Sequence, residues 1–211
     1  MRPMIGLSVD LGLAGTGVEI MGITGFIFLA IVIVVITYFV MLYNNLVTLK
    51  HNVSQAWANI DVLLKQRHDE LPKLVELCKQ YMKYEQETME KVMKARSAVA
   101  TAREKGDINA VGQAEAQLRM GLGNLFAVAE AYPDLKADQS FQHLQSRITG
   151  LESAIADRRE FYNAAVNINN IRIEQFPDVI IARNFNFKSA ELLEFNEAEK
   201  SDVDVKALFA N

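Results

Sequence analysis

Three histidines and one cysteine are the chain's strongest metal- and proton-handling side chains: His51, His68, His143 and Cys78. A di-iron centre between helices needs two Glu-x-x-His motifs and two further inward glutamates. None of the three histidines follows a glutamate by three positions, so that ligand set is missing. A structural zinc site needs four clustered Cys or His ligands, and a lone cysteine with scattered histidines does not supply them. No cofactor or metal is expected.

Smaller constellations carry weaker signals. In "RHDELP" (Arg67–Pro72) a histidine precedes an acid and a proline, the order of a sensor-kinase phosphoacceptor box. No glycine-rich nucleotide-binding stretch follows it, so His68 reads as a polar residue at a helix end. Cys78 falls on an apolar seam and reads as a small buried hydrophobe rather than a nucleophile. Trp57 reads as helix packing, and "AREKGD" lacks the glycine pattern of a phosphate loop. Glu85 interrupts a seam as a buried-acid candidate, with Arg158 and Arg172 as possible partners.

The elements that would position these groups are helical. Half of the chain is hydrophobic (50%) and the net charge is −4, which suits a folded chain and argues against a nucleic-acid partner. Residues 21–49 carry no charge, and "ITGFIFLAIVIVVITYFVML" (Ile23–Leu42) is almost wholly apolar. Twenty residues at about 1.5 Å each span a bilayer core of about 30 Å. Only Arg2 precedes the run and no small-x-small site ends it, so it predicts a retained anchor over 21–42 rather than a cleaved signal. Lys50, Lys65 and Arg67 on the far flank tip the orientation toward a cytoplasmic soluble domain. The tail 1–20 is glycine-rich and reads as a flexible or interfacial extension.

Beyond the anchor, apolar positions recur at three- and four-residue steps. Leu42, Leu46, Leu49, Val53, Ala56, Ile60 and Leu63 form a coiled-coil-like seam that leaves the anchor without a Gly or Pro break. A single rod therefore runs to Leu71, ahead of Pro72. A second helix is expected from Pro72 to "REKGD", with Gly106 as its C-terminal cap and Asp107 capping the next. The third covers Ile108–Ala131, and its Gly112, Gly121 and Gly123 suggest close approach of a neighbour or local softness. The fourth starts at Asp138 or Ser140 and ends before Pro177, its seam passing through Phe141, Ile148, Ile155, Tyr162 and Asn169. Four helical runs with short loops predict an all-α protein, an antiparallel up-down four-helix bundle over 43–188. The stretch "DVIIARNFNF" is expected to fold back on the bundle or toward the membrane, and the acidic tail 189–211 to be flexible.

Several segments resemble the LemA family in the right order and spacing. They are "YNNLVTLKHNVSQAWANIDVLLKQRHDELPKLVELCKQY", "LFAVAEAYPDLKADQSFQHLQ", "RREFYNAAVNINNIRIEQFP" and "IARNFNFK", together covering residues 43 to 188. The resemblance implies a bacterial inner-membrane protein with a single span and a four-helix bundle, with no established catalytic residue or cofactor. It also implies an association of some relatives with membrane remodelling in magnetosome formation. The family commonly has a histidine before the glutamate of its second helix, where this chain has Tyr84 before Glu85.

The function expected from these features is a membrane-anchored scaffold or adaptor that touches lipid, forms homo-oligomers or engages a membrane-protein partner. A regulatory subunit of a transporter or membrane protease is the alternative, and an enzyme or sensor kinase is disfavoured. With turns at Pro72 and Pro133, Arg67, His68, Asp69, Glu70 and Lys73 should lie beside Asp134, Lys136 and Asp138. At the membrane-distal end those residues read first as caps and local salt bridges, worth little each when exposed, and otherwise as a candidate interaction tip.

Overall fold

The structure is a computed structural model and describes residues 10–194, with side chains from residue 23 onward. Its first helix, α1, runs unbroken over Asp10–Tyr81. At 1.5 Å per residue that is about 108 Å of rod. Residues 10–20, expected as a flexible tail, are its first turns; residues 1–9 lie outside the described ones. Within α1 the apolar stretch is long enough to cross a membrane, and its side chains are almost wholly uncovered, Phe26 and Phe28 among them.

Pro72 does not end this helix, contrary to expectation. A proline inside a helix has no N–H to give the carbonyl four residues earlier. Here that carbonyl belongs to His68, and it accepts 2.9 Å from Arg96 Nε on the next helix. The neighbouring helix thus supplies the donor that Pro72 lacks. The first turn moves to residues 82–85, and α2 covers Gln86–Lys105. Glu85, read as a buried acid, sits at that turn with no side-chain cap bond.

The α2–α3 junction is as expected. Gly106 adopts φ 67° after α2, and its N–H bonds back to the Ala102 and Arg103 carbonyls. The Asp107 side chain caps α3 (Ile108–Ala129), accepting from Ala110 N at 2.9 Å. A short α4 (Pro133–Ala137) leads to α5 (Gln139–Glu174). Asp138 caps α5 by accepting from Ser140 N at 2.7 Å and Phe141 N at 3.2 Å. Among the described residues there is no strand.

The buried apolar residues form three clusters. In the one farthest from the uncovered apolar stretch Leu71, Leu74, Cys78 and Met82 of α1 meet Val92 and Val99 of α2, Leu118, Leu122 and Leu125 of α3, and Phe141 and Ile148 of α5. Each fully buried aliphatic side chain there contributes about 1.5–3 kcal/mol. The apolar seam of α3 is buried, at Val111, Leu118, Leu122, Leu125 and Ala129. Gly121 lies against α2: a Cβ there would sit 3.3 Å from Val92 Cγ2, whereas Gly123 faces open space.

After α5 the chain turns and forms α6 (Asp178–Asn184), whose Ile181 and Ala182 pack on Leu42 and Leu46 of α1. An extended segment then climbs back along the bundle. Asn170 pairs with the backbone of Ala190 through two bonds of 2.9 Å, and Asn163 pairs likewise with Leu193 at 2.9 and 3.1 Å. Leu193 is buried with Ile60, Leu64 and Val111. A Cβ on Gly112 would meet the Glu194 carbonyl oxygen at 2.1 Å, so only glycine admits the segment there. Residues 189–194, expected to be flexible, are therefore docked; the rest of the acidic tail, 195–211, lies outside the described residues.

Loss of the Arg96 donor should leave the His68 carbonyl unsatisfied, which costs about 1–3 kcal/mol. Arg96→Met is expected to destabilise the full-length chain in detergent by that order. In a Pro72→Ala background, where the helix regains its own N–H, the same change should cost clearly less. Thermal unfolding followed by circular dichroism on the four proteins measures the coupling.

Candidate functional site

The two halves of the expected tip are apart. Because α1 continues to Tyr81, Arg67 sits about four turns, roughly 21 Å, below the distal turn. Only Asp134, Lys136 and Asp138 remain at that end, and their neighbour from α1 is Tyr81, whose hydroxyl donates to Asp138 Oδ2 at 3.0 Å. Lys136 pairs with exposed Glu130, and Gln142 Nε2 bonds the Lys136 carbonyl at 2.7 Å. The main-chain N–H of Phe141, the Tyr81 hydroxyl and the N–H of Ser140 together hold the Asp138 carboxyl below its ordinary range. These are capping contacts.

Arg67 and Glu70 are instead interior. Arg67 is 1% exposed and bonds both Glu115 of α3 and Glu152 of α5 through its two terminal nitrogens. Glu115 is 0% exposed, and Arg119 approaches Glu152 at 3.6 Å. One guanidinium thus ties three helices at mid-height. Glu70, also buried, receives Lys73 and Arg147, each at 3.1 Å. Asp69 and Lys73 are exposed on the side of the rod.

Burial opposes the Arg67 charge, but Glu115 and Glu152 outweigh it and keep the guanidinium protonated. Burial also pushes the Glu115 carboxyl above its usual range, against the pull of Arg67. Arg67 Nε and Glu115 Oε2 are buried with no hydrogen-bond partner among the described residues. This is an ion cluster with imperfect satisfaction, whose parts fit fixing of helix register better than a reaction.

The other chemical candidates are quiet. Burial, then the charge of Arg96, holds the His68 imidazole below its ordinary value, which favours the neutral ring. Burial raises the Cys78 thiol to about 11, so it carries little thiolate at neutral pH. Trp57 packs edge-on against Tyr162 at 5.7 Å. Arg158 is exposed and stacks over Phe161, while Arg172 forms an ion pair with Asp178 of α6 at 3.2 Å. Neither arginine reaches Glu85. Among the described residues, no group of three or more His, Cys, Asp or Glu side chains could hold a metal ion.

Two clefts stand out. One, of about 650 Å³, lies where α1 meets α2 and is lined by Pro72, Val75, Met82, Met89 and Met93 with a charged rim of Glu76, Lys79, Lys83 and Glu90. The other, of about 550 Å³, lies at the base of the bundle between α1, α5 and the segment after α6.

Sequence reasoning missed the Arg67–Glu115 pair, although the pattern carried it. The α3 seam skips from Val111 to Leu118, and Glu115 fills the gap. Arg67 fills the equivalent place between Leu64 and Leu71.

Among the described residues, an almost wholly helical chain with one long uncovered apolar stretch and an internal ion cluster defines a class of membrane-associated helical protein. The particular family follows from comparison: the LemA family model matches residues 56–207, and the chain belongs to that family. It is 26% identical over 201 residues to Magnetosome protein MamQ 2 of Paramagnetospirillum magneticum, covering 84% of this chain and 74% of that protein. It is 24% identical to Magnetosome protein MamQ of Magnetospirillum gryphiswaldense, covering 81% and 70%. It is 25% identical to Protein LemA of Metamycoplasma hominis, covering 89% and 86%. None of these names specifies a catalysed reaction.

Removing one partner of a buried ion pair costs about 3–5 kcal/mol, whereas apolar replacement of both is often neutral. Arg67→Met should therefore destabilise the full chain by about that much, and Arg67→Met with Glu115→Leu should recover most of it in thermal unfolding. A pH effect accompanies it. Glu115 holds its proton more tightly folded than unfolded, so unfolding free energy falls as pH rises from the unfolded value of about 4.3 toward the raised folded one. Glu115→Gln should flatten stability over that window, read as melting temperature at stepped pH.

Proposed function

We propose that the chain is a single-pass scaffold of a bacterial inner membrane, with α1 as its anchor and the helical bundle on the cytoplasmic side. It acts by self-association and by contact with lipid and protein, without catalysis of its own. The observation that carries this reading is the continuity of α1. Its uncovered apolar stretch passes into the bundle with no linker, so the bundle's height above the bilayer is set by a rod rather than a tether. An apolar stretch of that kind, left uncovered, is stable only in lipid or against another apolar surface.

Charge placement supports the orientation. Lys50 on α1, Arg183 at the end of α6 and Lys188 beyond it cluster at the membrane-proximal end, the arrangement favoured on the cytoplasmic face. Relatives named as magnetosome proteins support a membrane-related role. Gly22 and Gly25 near one end of the apolar stretch would allow two copies to approach closely.

A second reading, a regulatory subunit of another membrane complex, is favoured by the methionine-lined cleft between α1 and α2. Met82, Met89 and Met93 form a deformable apolar floor of the kind that accommodates a partner's apolar segment.

Two measurements test the scaffold. The chain should remain with membranes washed in alkaline carbonate. In native nanodiscs its mass should be a multiple of the single chain, and Gly25→Leu should reduce that multiple. A monomer in nanodiscs overturns self-association; co-purification of one dominant heterologous membrane protein selects the second reading.

A further inference from the structure

The cleft at the base of the bundle is basic and aromatic in its lining. Lys50 and His51 of α1 and Lys188 after α6 line it, together with Tyr43, Phe185 and Asn169; among the described residues no carboxylate lines it. Tyr43, Val47 and Lys50 follow one face of α1 at helical spacing, and Lys50 is the first charged residue after the uncharged run 21–49. Leu42, where the apolar span ends, is covered by α6, and Leu46 lies one turn further on. The cleft therefore opens within about 12 Å of the span's end, measured along α1 from Leu42 to Lys50. The headgroup layer adds about 5–8 Å on each side of the hydrocarbon, so Tyr43 and Val47 fall within it and Lys50 lies just beyond, its long side chain leaning back toward the helix N-terminus and so toward that layer.

Aromatic rings mark the same level. Tyr43 packs on Phe185 at 4.8 Å and Phe187 at 5.9 Å, while Tyr38 and Phe39 continue toward the span. Rings with one apolar and one wet side gather at such interfaces. A basic recess with an aromatic wall, facing that layer, suits a phosphate at its inner end and acyl chains running outward along Tyr43 and Phe39.

We propose that this cleft binds the headgroup of an anionic phospholipid from the leaflet beside the bundle. Lys50 and Lys188 pair with the phosphate, and Tyr43 and Phe185 pack on the glycerol and upper acyl carbons. The proposal rests on the anchored reading above and adds lipid selectivity to it.

The test uses the full-length chain in a neutral detergent. Short-chain phosphatidylglycerol is titrated against phosphatidylcholine of the same length and against inorganic phosphate. Melting temperature and native mass report binding. Phosphatidylglycerol should raise the melting temperature and persist as a bound species. Lys50→Gln with Lys188→Gln should weaken it at least about tenfold, the scale of a lost charge-assisted contact. Lys91→Gln with Lys136→Gln, exposed positions away from the cleft, should change nothing, and both double variants should melt like the parent without lipid. Equal binding of phosphatidylcholine, an equal shift from inorganic phosphate, or undiminished binding by the Lys50/Lys188 variant overturns the site. A chain released by carbonate overturns the anchored reading instead; one that stays in the membrane without selecting phosphatidylglycerol overturns only the cleft.

Discussion

The hydrogen bond from Arg96 to the His68 carbonyl is the constraint on which the rest of the molecule hangs. It lets α1 pass Pro72 with its orphaned carbonyl satisfied. Every height in the bundle follows from that. The first turn lies at 82–85, α2 descends from there, and Arg67 comes level with Glu115 of α3 and Glu152 of α5 rather than with the distal loops. Had the helix stopped at Leu71, the same arginine would have been an exposed turn residue.

The interior of the rod then combines two kinds of packing. Apolar seams supply most of the stabilisation, and they tolerate small slides of one helix past another. The Arg67 cluster does not, because a guanidinium fork meets two carboxylates from two helices only at one register. Buried ion pairs are weak sources of stability; this one acts on alignment. The Asn163 and Asn170 side chains do similar work for the segment at 190–194, each pairing with one residue's N–H and C=O as a neighbouring strand would. With Gly112 clearing its path, that segment closes the seam between α3 and α5.

Function at the ends follows from the stiff middle. In the proposed arrangement the anchor and the first helix of the bundle are one rod, so the base of the bundle would meet the membrane surface at a defined level. That is where the basic and aromatic residues collect, from α1 and from the segment after α6. The distal end is by contrast a set of caps and exposed pairs around Asp138 and Lys136, each worth little.

Much of this was legible from the chain alone, for one reason: periodicity and apolar run length are local properties. The all-α class, the long apolar helix near the N-terminus, the caps at Gly106 and Asp107 and the end of α5 near Pro177 all rest on residues within a few turns of each other. The fate of Pro72 did not, since its local preference to end a helix is overridden by a side chain twenty-four residues on. The expected tip of Arg67, His68, Asp69, Glu70 and Lys73 fell with it. Tertiary structure alone decided which polar residues on the seams meet, that Glu70 and Glu115 are interior, and that residues 190–194 are held. Each of these depends on the register between distant helices, which single-chain spacing does not encode.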